Sequence, residues 1–135
     1  MGDDATTRRP IVVVDDDDDD RFLFQRMLQR VDPDVTVTEY AAADLALPDF
    51  LDDDRFGRCF PDAAPILLLD INMPRMSGFE FLDVVAPRRT GQMDVFILTA
   101  SDNPSDKARA RSYAIVRDIL VKPIRRAILR DLLAG

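Results

Sequence analysis

The 135-residue chain contains no histidine and a single cysteine, Cys59. Without histidine there can be no histidine-built zinc site, no Ser-His-Asp chemistry and no phosphohistidine carried by the chain itself. One cysteine excludes an internal disulfide. No apolar run approaches the length needed to span a bilayer. The start MGDDATTRR lacks the basic lead and apolar stretch of a secretory signal. These absences predict a cytoplasmic protein that does not engage a membrane. There is no long basic tract and the formal charge is -7, which argues against nonspecific nucleic-acid binding.

What is present suits one compact domain: 47% of residues are hydrophobic and 32% charged. Residues 1–9 are polar and expected to fray, leaving a single domain over 10–135. Short β-branched runs then alternate with longer mixed segments. IVVV (11–14), VTVTEY (35–40), ILLL (66–69), DVFILTA (94–100) and DILVKP (118–123) read as strands. RFLFQRMLQRV (21–31) reads as an amphipathic helix, with Leu23, Met27 and Val31 at helical spacing and Phe24 and Leu28 widening the face. AAADLALPDFL (41–51) predicts a helix that Pro48 bends or ends, and the punctuated acidic stretch 51–65 predicts a loop. GFEFLDVVAPR is the third helix, with Phe79, Leu82 and Val85 roughly on one face. The fourth opens with Asn103 as cap, Pro104 first and Asp106 in its first turn. IRRAILRDLL is the last. Five strands alternating with five helices predict an α/β fold, a doubly wound five-stranded parallel sheet with helices on both faces.

The stretch IVVVDDDDDD (11–20) runs four apolar residues into six aspartates. Side by side, like charges repel and raise one another's pKa, so a cation is expected beside at least some of them. In an open parallel sheet, sites form beyond the carboxyl ends of the strands. The polar residues leaving those ends are Asp15 and Asp16, then Asp70, Thr99 and Lys122. Each alone has an ordinary reading: an aspartate in a turn, a threonine helix cap, an exposed lysine. Likewise 17–20 suit a helix N-terminus by charge. Together, three carboxylates, a hydroxyl and an ammonium predict a Mg²⁺ site with phosphoryl-transfer chemistry. Asp70, at the end of the central strand, is the candidate nucleophile, with Asp15 and Asp16 orienting the metal. Asn72 could add its backbone carbonyl as a ligand.

Four ordered motifs resemble a family. VVVDDDDDDRFLFQRML, LLLDINMPRMSGFEFL, ILTAS and LVKPI resemble the bacterial response-regulator receiver domain, in its single-domain form typified by the chemotaxis regulator. The resemblance covers 9–133. It implies a flavodoxin-like sheet in the order 2-1-3-4-5. It also implies Asp15 and Asp16 as the metal pair, Asp70 as phosphoacceptor and Asn72 as carbonyl ligand. Pro74 and Gly78 match the family's loop and helix start, Thr99 its hydroxyl position, and Lys122 the lysine before a cis proline, Pro123. The implied partners are a histidine kinase or histidine phosphotransfer protein and a downstream protein target, with no nucleic acid or membrane. The domain would take part in its own phosphorylation and dephosphorylation rather than act as a conventional enzyme.

One position departs from the family. Three residues before Lys122 the family usually carries Tyr or Phe, a ring that swings inward as the threonine moves; here it is Ile119. Its ordinary reading is a buried strand residue. The alternatives left open are a phosphorelay intermediate or phosphate sink, a Mg²⁺-dependent aspartyl phosphohydrolase and a phosphorylation-independent adaptor. A phosphohydrolase normally wants a general acid two residues past its nucleophile, where this chain has Asn72. The 51–65 stretch is read as a solvated insertion, or as a surface that selects a basic partner.

Overall fold

The computed structural model describes residues 8–134. Five strands, β1 (Ile11–Val14), β2 (Val37–Tyr40), β3 (Ile66–Asp70), β4 (Asp94–Thr99) and β5 (Val116–Val121), form one sheet. All pairings are parallel and the order is β2-β1-β3-β4-β5. The helices are α1 (Asp18–Val31), α2 (Ala43–Leu51), α3 (Asp53–Cys59), α4 (Gly78–Arg89), α5 (Pro104–Arg111) and α6 (Arg126–Ala134). None is long and apolar enough to cross a membrane.

Both sheet faces are covered, which is why β1 and β3 are unbroken apolar runs and are buried throughout. Alternate strand residues serve alternate layers. Val12, Leu67, Leu69 and Ile97 pack with Phe50, Phe81 and Leu82 on the α2–α5 side. Ile11, Val13, Leu68 and Leu120 meet Phe24, Leu28 and Leu129 from α1 and α6 on the other. Most expected elements form. The expected frayed start lies largely outside the described residues; within it, Arg8 pairs with Asp32 at 2.6 Å and Arg9 with Asp94 at 2.7 Å.

Two expectations are corrected, and a third, the bend or end at Pro48, is narrowed. The stretch 51–65 is not all loop: it contains α3, making six helices among the described residues rather than five. Asp52 caps α3 by accepting from the Arg55 N–H at 2.9 Å, and Asp53 and Asp54 sit in its first turn. Phe56 turns inward against Phe50, with ring centroids 5.9 Å apart. Nor does Pro48 end α2, which runs on to Leu51. On α1 the buried face is Phe24 and Leu28, while Leu23 is exposed.

Arg89 ties α3 down. Its buried guanidinium donates to the Phe50 carbonyl (2.7 Å), the Leu51 carbonyl (3.2 Å) and Asp53 (2.8 Å). It also lies over the Phe56 ring, 4.3 Å from the centroid. These bonds satisfy carbonyls at the end of α2 that have no helical partner. Arg89→Leu is therefore expected to cost about 3 kcal/mol in urea unfolding, because it strands buried acceptors and releases α3. A change below about 0.5 kcal/mol, the size of an ordinary surface substitution, would mean α3 is held by its phenylalanines alone.

Candidate functional site

The register brings four strand ends to one edge of the sheet. Val14 lies beside Leu69, Asp70 beside Leu98, and Thr99 beside Val121. The next residue along from Val14 is Asp15, and from Val121 it is Lys122. Asp15 is fully buried and Asp70 nearly so, whereas Asp16 is exposed. One oxygen from each of the three lies within 4.8 Å of the others.

Lys122 reaches into this group across a long span of sequence. Its Nζ donates to Asp15 Oδ2 at 2.8 Å and to Asp70 Oδ2 at 3.2 Å. The other carboxylate oxygens are held by local backbone. Asp15 Oδ1 accepts from the Asp17 N–H, and Asp70 Oδ1 from the Asn72 N–H, both at 3.0 Å. The helix after β3 is pressed onto it: a Cβ at Gly78 would come within 2.5 Å of the Asp70 carbonyl oxygen, so only glycine allows the approach. A capping box between Ser77 and Glu80 fixes where that helix starts. On the far side, the Arg21 Nη1 donates to the Asp15 carbonyl at 2.6 Å.

Thr99 is at the edge and buried, but its hydroxyl is turned to its own loop, exchanging hydrogen bonds with the Ser101 backbone at 3.0 Å. It does not cap α5; Asn103 does, accepting from the Ser105 N–H at 2.8 Å. The Lys122–Pro123 peptide is cis. Ile119 is half-buried against the α2–α5 core. Tyr113 packs against the same core, stacked on Phe79 with centroids 6.2 Å apart and donating to Asp83.

One member of the cluster was not expected from sequence. Asp20, in the first turn of α1, accepts from Lys122 Nζ at 2.8 Å. The acidic run thus divides by helical phase. Asp17 caps α1, accepting from the N–H groups of Asp19 and Asp20; Asp18 and Asp19 face solvent; Asp20 turns back to the sheet edge.

Charge at the site is finely set. Burial pushes Asp15 up to about 6, outweighing the Lys122 hydrogen bond and the Asp17 N–H, and the Asp70 charge adds to the rise. For Lys122, burial disfavours the charged form, yet bonds to Asp15 and Asp20 and the Asp70 charge hold its pKa above the usual value. The raised Asp15 has a signed consequence. Between its ordinary 3.8 and about 6, the folded chain keeps a proton the unfolded chain has released. Stability contributed by that proton is therefore lost as pH rises through this window. In chelator, lowering the pH from about 7 to about 5 is expected to stabilise wild type by roughly 1 kcal/mol relative to Asp15→Asn. Parallel pH profiles for the two chains would show that Asp15 titrates normally.

A doubly wound, flavodoxin-like α/β domain with an acidic pocket at the carboxyl edge of its sheet is the class these features define. Residues 11–134 match the model of the response regulator receiver domain, and the chain belongs to that family. Among solved structures it is similar to a two-component response regulator from Legionella pneumophila (28% identity, TM-score 0.73, 93% of this chain and 98% of that one). It is also similar to a receiver domain from Rhodospirillum rubrum (26%, 0.75, 91% and 89%). Chemotaxis protein CheY4 of Vibrio cholerae shares the fold at 24% identity, TM-score 0.73, over 95% and 98% of the two chains. A 60-residue segment, 44% of this chain, is 35% identical to the Regulator of RpoS of Escherichia coli, and the match spans only 17% of that relative's length.

Proposed function

We propose that the domain is a phosphoacceptor: Asp70 takes a phosphoryl group from a phosphohistidine on a histidine kinase or histidine phosphotransfer protein. The observation that carries this is the convergence of Asp15 and Asp70, 107 and 52 residues from Lys122, on one ammonium. An Asp70 carboxylate oxygen attacks phosphorus, the P–N bond breaks, and the imidazole leaves with its electron pair and is protonated from solvent. Lys122 is placed to turn a donor toward a phosphoryl oxygen, and the buried Thr99 hydroxyl is a second donor once it leaves Ser101.

The donor set fits Mg²⁺: hard carboxylate oxygens in a group of three, with Asp16 open to solvent for retained waters. Asp15, Asp16, Asp70 and the Asn72 backbone carbonyl would hold the ion. When bound it supplies neutralising charge for the transferred group. An exposed Asn72, with its backbone N–H on Asp70, supports an acceptor over a phosphohydrolase, since no general acid stands two residues past the nucleophile. Output would pass by protein contact to a downstream target, or by onward transfer in a relay or sink. With Ile119 in place of a ring, signalling through an aromatic swing is not supported.

The test is to offer the protein a panel of proteins phosphorylated on histidine. Label should move to this chain from one or a few of them with Mg²⁺ present and stay on the donor in chelator. No transfer from any donor, with small phosphodonors equally inert, would contradict the reading.

A further inference from the structure

Lys122 has three N–H donors, and each has a carboxylate: Asp15 and Asp20 at 2.8 Å and Asp70 at 3.2 Å. The ammonium is therefore saturated before any phosphoryl group arrives. Its three partners differ in what else they have. Asp15 also accepts from the Asp17 N–H and Asp70 from the Asn72 N–H, and both belong to the oxygen cluster suited to a divalent cation. Asp20 is outside that cluster, and Lys122 is the one hydrogen-bond donor to its carboxylate among the described residues. Its side chain is only 31% exposed, so water replaces a lost partner poorly.

We propose that Asp20 is a positioning residue that holds Lys122 back, a carboxylate that a phosphoryl oxygen on Asp70 must outcompete for the ammonium. The inference rests on the phosphoacceptor reading above and concerns the regulation of that site. Two effects follow from the one charge, with opposite signs. Movement of Lys122 toward a phosphoryl oxygen lengthens the Asp20 ion pair, and the Asp20 charge repels the incoming anion, so Asp20 weakens phosphoryl binding. The same negative charge, a few ångströms from Asp15, draws a divalent cation toward the cluster, so Asp20 strengthens metal binding. A residue that served only to start α1 would produce neither effect.

Beryllofluoride, a phosphoryl mimic, separates these roles. Titrate Mg²⁺ alone by calorimetry, then beryllofluoride at saturating Mg²⁺, on wild type, Asp20→Asn, Asp20→Ser and Asp19→Asn. Asp19 lies in the same first turn of α1, is exposed, and serves as the control for lost charge at the helix start. Both Asp20 variants should bind Mg²⁺ about threefold more weakly and beryllofluoride about three- to tenfold more tightly. Asp19→Asn should stay within about twofold of wild type in both titrations. If wild type binds beryllofluoride but folded Asp20 variants bind it no more tightly, or Asp19→Asn behaves as they do, this inference is overturned alone. If wild type binds none, the phosphoacceptor reading falls and takes this inference with it.

Discussion

Lys122→Met is expected to destabilise the metal-free protein by about 3 kcal/mol at neutral pH, because breaking a buried ion pair from one side leaves the other charge unpaired. Three carboxylates lose their shared cation, and one of them, Asp15, has no exposed surface at all. Methionine keeps much of the stem's packing, so the loss reports charge rather than a cavity. The deficit should shrink in acid, since a proton on Asp15 replaces the missing ammonium at the pH where burial already favours it. It should also shrink with Mg²⁺, which offers the carboxylates another cation. Urea unfolding in chelator, in Mg²⁺ and at two pH values checks all three. A variant as stable as wild type in chelator would mean that the lysine and the carboxylates do not interact in solution as the geometry requires.

The second large effect concerns Mg²⁺ itself. Asp16→Asn is expected to weaken Mg²⁺ binding about tenfold or more, since it replaces one of the three clustered carboxylates, whose oxygens lie within 4.8 Å of one another, by a neutral amide. Asp18→Asn should leave affinity within about twofold, because its carboxylate points to solvent beside Arg21. Without metal, Asp16→Asn should not destabilise the fold, as it relieves repulsion against Asp15 and Asp70. Calorimetric titration separates the two variants. Equal losses in both would mean that the whole acidic run attracts the ion diffusely.

The strand ends were legible because a buried parallel strand is a short unbroken apolar run, and the first polar residue after it marks the sheet's edge. That logic places Asp15, Asp16, Asp70, Thr99 and Lys122 at the sheet edge from the sequence alone. It could not say that Thr99 turns its hydroxyl to Ser101, because that depends on the loop's path and not on the strand. Asp20 was missed for a different reason. Four consecutive aspartates at 17–20 all suit a helix start, and which one faces inward depends on the phase of α1 against the sheet. The signals for α3 were present in Asp52, Asp53 and Arg58, but Gly57 and Pro61 with the local acidity suggested a loop. What stabilises that helix is Arg89, acting on carbonyls 39 and 38 residues away, a pairing no local pattern reveals. On α1 the apolar stripe was wider than the buried face, and the packing against α6 chose Phe24 and Leu28 over Leu23.

Asp70 is the residue proposed to carry the phosphoryl group. Incubate the protein with Mg²⁺ and a small phosphodonor, trap the acylphosphate by reduction, and map the modified residue by mass spectrometry. Modification at Asp70 alone, absent from Asp70→Asn and from samples in chelator, is the expected result. Modification at another aspartate of the cluster, or labelling that persists in Asp70→Asn, would contradict it.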